Sequence, residues 1–524
     1  MTLYLFFLCF TAFCFAYALS LIDALHFFQL NSYRFDTHIR WMLQNFNRFM
    51  PHNMLAVLLL IVTAIPMHIR LKLGLALALL ILAVFVERPK KAKKPLVYTP
   101  RVKRMLVTAA VLSLVACGVP ALLYLPAEKH HESLALLALA VLYALAPCLV
   151  LLCNLVNKPV ELSINRYYTN DAKRILRACP DLKIIGITGS YGKTSVKYYL
   201  NTLLRARYNV LMTPESFNTP MGVVKTIRGS LKATHEIFIC EMGAKWVGDI
   251  KELCDIVHPQ HGVITSIGPQ HLETFGSLDN VKKTKFELAD ALPEGGMLFL
   301  NGDDDNIRDH GCERPHFTYS VGGDADYVAS DVKASSRGTT FTVTAPNGES
   351  ETFSTRLLGR HNVLNITGAI AVSHQFGIPL KALKGQVRKL EGVPHRLQLS
   401  EKNGMTIIDD AYNANPSGTK AALDTLALFD SYKILVTPGM VELGEKQDEL
   451  NREFGKNAAA VCDYVVLVGR RQAEPIEARL LEAGYSKTKI FIADTIQDAL
   501  SHVFAMSTEQ PKVVLLENDL PDNY

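Results

Sequence analysis

Hydrophobic positions are spread unevenly along the chain. Before about residue 157 they form long leucine-rich runs, and beyond it they come as short runs separated by Gly, Pro and charges. Apolar segments at roughly 3–21, 53–67, 71–87, 105–126 and 133–155 approach or reach the about 20 residues that cross a bilayer core. The pattern predicts five transmembrane helices, with four as the alternative because the second and third segments are short and Pro66 to Lys72 reads as a tight hairpin. The first segment reads as an uncleaved helix, since Met1 to Phe7 has no Lys or Arg and no small-residue cleavage site follows.

From Leu182 the pattern changes. Lys183 to Thr188, Glu236 to Cys240 and Gly262 to Ile267 read as buried parallel strands, with helices at Lys193 to Arg205, Gly248 to Val257 and Asn280 to Leu292. That alternation predicts an α/β sheet wound by right-handed crossovers. Residues 326–357 alternate like hairpin strands around Pro346-Asn347-Gly348 and predict a small antiparallel appendage. After Gly392 the α/β rhythm restarts, with strands near Met405 to Asp409, Lys433 to Thr437, Tyr464 to Val468, Lys489 to Ile492 and Val513 to Leu516. The expected organisation is a membrane module at 1–157, a connector at 158–181, and two α/β domains at 182–392 and 393–524.

Composition narrows this picture. With 49% hydrophobic and 20% charged residues, disordered, collagen-like and disulfide-scaffold classes are excluded. Eight of the 55 basic residues lie between Arg88 and Arg104 without an acid, which leaves 47 against 50 acids elsewhere. The remainder is slightly acidic, so no nucleic-acid partner is expected. The ten cysteines include no CxxC pair, which points to neither a zinc site nor a disulfide framework. The basic loop places Arg88 to Arg104 in the cytoplasm, the N-terminus outside and everything after residue 157 in the cytoplasm; Arg70 and Lys72 on the outer hairpin run against this count. The same loop suits the anionic surface of a lipid bilayer or a lipid-linked phosphate.

Candidate chemistry begins where the first strand runs into Gly186-Ile187-Thr188-Gly189-Ser190-Tyr191-Gly192-Lys193-Thr194-Ser195 and then a helix. Glycines let the backbone fold around phosphates, amides and a helix N-terminus supply positive potential, Lys193 reaches the outer phosphates, and Thr194 can ligate Mg²⁺. Ile187 stands where the eight-residue P-loop has its first glycine. Glu241 closes a strand and His271 follows another, an edge where α/β sheets present ligand-binding groups. Each alone reads as a surface acid or a loop histidine; together they predict a magnesium and phosphate centre.

These residues resemble the ATP-dependent Mur ligases. The resemblance extends through Asn218-Thr219-Pro220-Met221-Gly222, Glu241-Met242-Gly243-Ala244, His271-Leu272-Glu273-Thr274-Phe275-Gly276-Ser277, Lys285, Asn301-Gly302-Asp303-Asp304, Gly359-Arg360-His361-Asn362 with Asn365, and Asp409-Asp410-Ala411-Tyr412-Asn413-Ala414-Asn415-Pro416. That last segment and Gly439-Met440-Val441-Glu442-Leu443-Gly444 favour the branch that adds D-alanyl-D-alanine to a cell-wall peptide. The resemblance implies a P-loop central domain and a Rossmann-like C-terminal domain. It implies an ATP-dependent ligase that activates a cell-wall precursor carboxylate as an acyl phosphate for attack by an amine, with Mg²⁺. By position, Gly189, Ser190, Tyr191, Gly192, Lys193, Thr194 and Ser195 would hold the phosphates, and Thr194 and Glu241 one Mg²⁺. His271 and Lys285 would hold a second, Lys285 as a carbamylated lysine. Asn301 and Asn365 would approach adenine and ribose, and Arg396 and Asp410 would close over γ-phosphate and ribose. Without the family, Lys285 beside Lys282 and Lys283 reads as a solvated helix lysine.

Two departures stand out. Family members begin with a domain for the uridine diphosphate of their substrate, a place taken here by membrane helices, and Leu515 to Leu520 lacks the Lys-Gly-Ser expected in the D-alanyl-D-alanine-adding branch. The acceptor therefore stays open between soluble and lipid-linked or polyglutamate-type molecules, and the amine stays open too. A transport-coupled P-loop ATPase would need polar residues inside the spans, and the apolar segments contain almost none. An inactive membrane scaffold would not need Lys193, Glu241, His271 and Lys285 together.

Overall fold

The computed structural model describes residues 2–88, 95–124, 131–335, 338–392, 397–402, 404–411, 414–441, 443–469 and 473–518. Arg396, Lys90, Lys91, Lys93, Lys94, Lys129, Tyr412, Asn413 and Glu442 lie outside the described residues. The chain forms two compact units, Met1–Arg166 and Tyr167–Leu520.

The first unit is helical: α1 Thr2–Leu30, α2 Phe35–Gln44, α3 Phe46–Ala64, α4 Ile69–Val86, α5 Pro100–Tyr124 and α6 His131–Arg177. Among the described residues, Tyr4–Leu30, Phe46–Ala64, Ile69–Val86 and Ser133–Arg177 are long and apolar enough to cross a membrane. Leu73, Ala76, Leu80 and Ala83 recur on one face of α4 and are buried in a core with Cys9, Phe13, Ala16 and Leu21 of α1. The small Ala76 and Ala83 leave room for the two helix backbones to approach. The predicted hairpin joins α3 to α4. Lys72, which counted against the orientation, is buried and donates its Nζ to the Thr63 carbonyl at 2.9 Å, satisfying a free carbonyl at the C-terminal end of α3.

The expected connector at 158–181 is helical over most of its length, since α6 runs to Arg177, with Asp171 and Arg174 paired at 2.8 Å one turn apart. Nor are the apolar helices free of ionisable groups. Asp23 lies within α1 and His52 within α3, Glu87 caps α4, and His52 and Glu87 meet at 2.7 Å. The hydrophobic windows missed them because each sits at the edge of its run.

The second unit holds two sheets. The first contains β1 Lys183–Thr188, β2 Val210–Met212, β3 Ile237–Glu241, β4 His261–Ile264, β5 Leu298–Asn301, β6 Phe317–Val321, β7 Tyr327–Ser335, β8 Gly338–Thr344 and β9 Ser350–Thr355, in the order β2-β3-β1-β4-β5-β6-β7-β8-β9. On β1, Ile185 and Ile187 enter one core with Val196 and Leu200, while Ile184 enters another with Phe238 and Leu253. This strand is therefore covered on both faces, as a parallel α/β sheet requires. Gly186 is small for the same reason: a Cβ there would stand 2.8 Å from Leu288 Cδ1. The strands β7, β8 and β9 are antiparallel as predicted, but β7 pairs with β6, so they extend the main sheet and are not a separate appendage.

The second sheet contains β10 Gln398–Lys402, β11 Met405–Asp410, β12 Tyr432–Thr437, β13 Tyr464–Val468, β14 Ile490–Ala493 and β15 Lys512–Glu517, in the order β10-β11-β15-β12-β13-β14. In the first sheet β1 lies between β3 and β4. Connections leave in opposite directions there and open a crevice beyond the strand ends, the place where such sheets bind ligands.

Candidate active site

The loop after β1 fills that crevice and leads into α7, Lys193–Leu204. Gly192 caps α7 at φ +81°, and a Cβ there would stand 2.8 Å from Asn365 Oδ1. A Cβ on Gly189, at φ +148°, would collide with Thr265 Oγ1. Both positions need glycine, for backbone conformation and for space. The loop is tied to the segment after β4. Ser190 Oγ donates to the Gly268 carbonyl at 3.1 Å and accepts the Gly268 amide at 3.1 Å, while the Ser190 amide donates to Ser266 O and Thr265 Oγ1 to Tyr191 O. The Tyr191 ring covers Gly268, and its buried hydroxyl is pushed up by burial and then by the charge of Asp304. Lys193 Nζ donates to the Gly189 and Ser190 carbonyls at 2.7 and 3.0 Å. Ser195 is buried on α7.

Glu241 ends β3 and is 1% exposed. Its Oε1 accepts from Thr194 Oγ1 and from Asn218 Nδ2, each at 3.1 Å. Its Oε2 pairs at 2.9 Å with Lys197, whose side chain is fully buried. Burial pushes the Glu241 carboxyl up, but Lys197 first, then Lys193, with hydrogen bonds from Lys197 and Asn218, outweigh it and hold it below the usual carboxylate range. The carboxylate therefore stays ionised, as a hard-cation ligand must.

The remaining predicted residues fall into two groups. Asn301 is buried at the end of β5 and reaches Ser266 Oγ at 3.3 Å, joining the segment that holds the loop. Asn365 packs on Gly192. His271, at φ 54°, begins the short helix Leu272–Phe275. Lys285 lies on the helix Leu278–Ala291 and is 2% exposed. Burial, and next the charge of Lys193, push its amine well below the usual lysine range, against the pull of Asp249 and Glu287. The solvated-lysine reading is thus overturned: Lys285 is buried, its amine pushed toward the neutral form within the field of the loop lysine. Asp410 belongs to the second sheet, where it accepts the Leu397 amide at 3.2 Å and lies beside Glu517 across β11 and β15. Burial, then the charge and hydrogen bond of Asp410, push the Glu517 carboxyl well above its usual range.

Sequence reasoning assigned no role to Lys197, Thr265, Ser266 or Glu517. Lys197 follows Lys193 by one helical turn and reads as a second solvated lysine; its flanks, Val196 and Tyr198, were the only signal. Asn518 is also unforeseen. It takes a left-handed conformation at φ 72°, accepts the Ala414 amide at 3.2 Å and donates to the Gly439 carbonyl at 2.6 Å, so the segment without Lys-Gly-Ser still ties two loops together at the sheet edge.

Comparison with known proteins follows this geometry. Residues 187–373 match the Mur ligase middle domain and residues 395–517 the Mur ligase glutamate ligase domain. The UDP-N-acetylmuramoyl-tripeptide–D-alanyl-D-alanine ligase of Bacillus subtilis is 36% identical over 278 residues, 52% of this chain and 59% of that protein. The Escherichia coli protein of the same name is 31% identical over 332 residues, 60% of this chain and 73% of that protein. Among solved structures, the MurF ligase of Thermotoga maritima in complex with ADP superposes with a TM-score of 0.61 at 28% identity, covering 68% of this chain and 80% of that one. The match thus spans less than two thirds of the Bacillus relative. With the nucleotide loop, Glu241 and both α/β sheets in family order, the chain belongs to the Mur ligase family.

Proposed function

We propose that the protein is an ATP-dependent amide ligase, anchored by its N-terminal helices on the cytoplasmic face of a membrane, that joins D-alanyl-D-alanine or a similar amine to a cell-wall peptide carboxylate. The observation that carries this reading is the buried Glu241, held ionised against Thr194 at the mouth of the nucleotide loop. The relatives' names describe ligation of D-alanyl-D-alanine to a UDP-N-acetylmuramoyl tripeptide, and the present chain would perform the same class of step.

In this reading Lys193 and the loop amides hold the outer phosphates of ATP, and the terminal phosphoryl group passes to the acceptor carboxylate. The amine attacks the resulting acyl phosphate, forming the amide bond and releasing phosphate. Charge neutralisation and alignment are the whole demand. Thr194 Oγ1 and Glu241 Oε1, 3.1 Å apart, are a hard oxygen pair that fits Mg²⁺, which keeps phosphate and water as its other ligands. Mg²⁺ bound there would neutralise charge on the transferring phosphates. Lys285, buried with its amine pushed toward the neutral form, is drawn toward the state that adds CO₂ and loses a proton to become a carbamate, which would hold a second metal with His271. Asn301 and Asn365 would face adenine and ribose, with Arg396 and Asp410 supplied by the last domain.

The test uses the full-length protein in detergent with ATP, Mg²⁺, D-alanyl-D-alanine and either a UDP-linked or a lipid-linked muramoyl tripeptide, following phosphate release. Release should need both acceptor and amine, and Lys193→Ala or Glu241→Ala should lower it by at least about 100-fold. Phosphate release indifferent to the amine would favour a transport-coupled ATPase; near-normal turnover in either variant would remove the assigned roles.

A further inference from the structure

A cavity of about 70 Å³ opens in the helical unit between the C-terminal ends of α1 and α4 and the start of α3, lined by Ser20, Asp23, Arg48, His52, Glu87 and Arg88 among others. Six polar or charged side chains beside one small cavity in a mostly apolar bundle mark a functional site, because such groups are costly there. The acids are already engaged. Glu87 Oε1 accepts from Tyr143 at 2.9 Å and meets His52 Nδ1 at 2.7 Å, and Asp23 meets Arg48 at 3.5 Å. The other polar groups are not exhausted. His52 is 5% exposed, and its Nε2 is buried without a hydrogen-bond partner. Arg48 lies 4.1 Å over the Phe27 ring and Arg88 4.6 Å over Phe85; among the described residues Arg88 forms no ion pair. Arg88 also begins the run of eight basic residues in the sequence.

We propose that this cavity binds the phosphate group of a lipid, with Arg48 and Arg88 as cationic donors and His52 Nε2 accepting from a protonated phosphate oxygen. Two guanidinium groups suit phosphate oxygens. The carboxylate of Glu87 on the Nδ1 side fixes the imidazole so that Nε2 faces away from it. The lipid source follows from the surroundings, since Met54, Leu82 and Phe85 of the same helices are exposed apolar side chains at 59%, 50% and 57% along which acyl chains can lie. The inference rests on the reading that these helices lie in a membrane, and its test measures binding, independent of ligation.

The reporter is Trp41, stacked at 4.5 Å on Phe27, the ring that also carries Arg48. Full-length protein with Trp246→Phe, in uncharged detergent, is titrated with dioctanoyl phosphatidic acid, dioctanoylglycerol or inorganic phosphate. Saturable quenching or enhancement is expected with phosphatidic acid alone. Arg88→Gln, at an exposed side chain, and Arg48→Gln should each weaken it on the order of tenfold, with His52→Gln weakening it less, while each melting temperature stays near the parent's. Equal response to dioctanoylglycerol, absence of saturation, or affinity unchanged by both arginine variants would overturn the site. Equal response to millimolar inorganic phosphate would overturn the lipid as its source. Failure of ligation with phosphatidic acid binding intact would strike only the enzymatic reading, whereas extraction of the protein from membranes by alkaline carbonate would overturn the membrane reading and the lipid site with it.

Discussion

The α/β unit and the helical unit hold their partly buried acids by different means. In the α/β unit the backbone does much of it: Asp304 accepts the Ile267 and Ile307 amides, Glu287 those of Gly248 and Lys251, and Asp249 those of Lys245 and Trp246. In the helical unit Glu87 is met by His52 and Tyr143, Asp23 by Arg48 and Glu161 by Arg104, all through side chains. The reason is the backbone itself. Strand ends, turns and helix starts leave amides free, whereas the interior of a long helix spends every amide internally. A helical bundle must therefore import each counter-charge on a side chain from another helix, and one substitution there removes one whole partner.

Glu241 and Glu517, the fully buried acids described in the α/β unit, depart from this because side chains meet them, and Glu241 gives the largest expected effect. Lys197→Met should cost about 3–5 kcal/mol by leaving the acid buried and uncompensated, read as a drop in melting temperature; adding Glu241→Gln should recover part of it. A loss that simply adds between the two would break the comparison. Lys285→Met should act oppositely. Removing a desolvated amine should leave stability equal or higher, while amine-dependent phosphate release falls about 100-fold, and Lys285→Ala should be partly rescued by short carboxylic acids. Full activity in Lys285→Met would show a packing lysine. Glu87→Gln keeps an acceptor for Tyr143 and His52 and should cost about 1–2 kcal/mol in detergent. A cost as large as that of Lys197→Met would erase the contrast between the units.

The smallest effect concerns pH. Burial lowers His361 to about 4 from the usual histidine value of 6.5, so between those values the unfolded chain binds a proton that the folded one refuses. Stability should fall as pH drops from 6.5 toward 4 and level off below. His361→Gln should make this decline shallower in melting temperatures taken across that range; an unchanged slope would assign it to other groups.

The two units also differ in how much of them the sequence reveals. Gly189 to Ser195 are contiguous because one loop and one helix start must wrap one ligand, so the motif reads directly, and the strand at Tyr464–Val468 was placed to the residue by its apolar run. Lys197 drew no role, and Lys285 drew one only through the resemblance, because a lysine is assigned to solvent by default and only tertiary packing shows its burial. The cavity in the helical unit draws on residues 20, 23, 48, 52, 87 and 88 from three helices, with no spacing rule to link them. The continuation of α6 to Arg177 was hidden by polarity, since a polar helix carries no hydrophobic period to detect.

One feature of the second sheet bears on how the protein is made. The last strand in chain order, β15, lies between β11 and β12. While a ribosome is still holding residues 512–517, those two strands have no partner on their facing edges, and unpaired edges invite pairing with other chains. Synthesis thus leaves this domain open until nearly its final strand emerges, and a message cut short before it would yield a sheet split in two. Such a product is a substrate for chaperones and proteases, with no half-active ligase left behind.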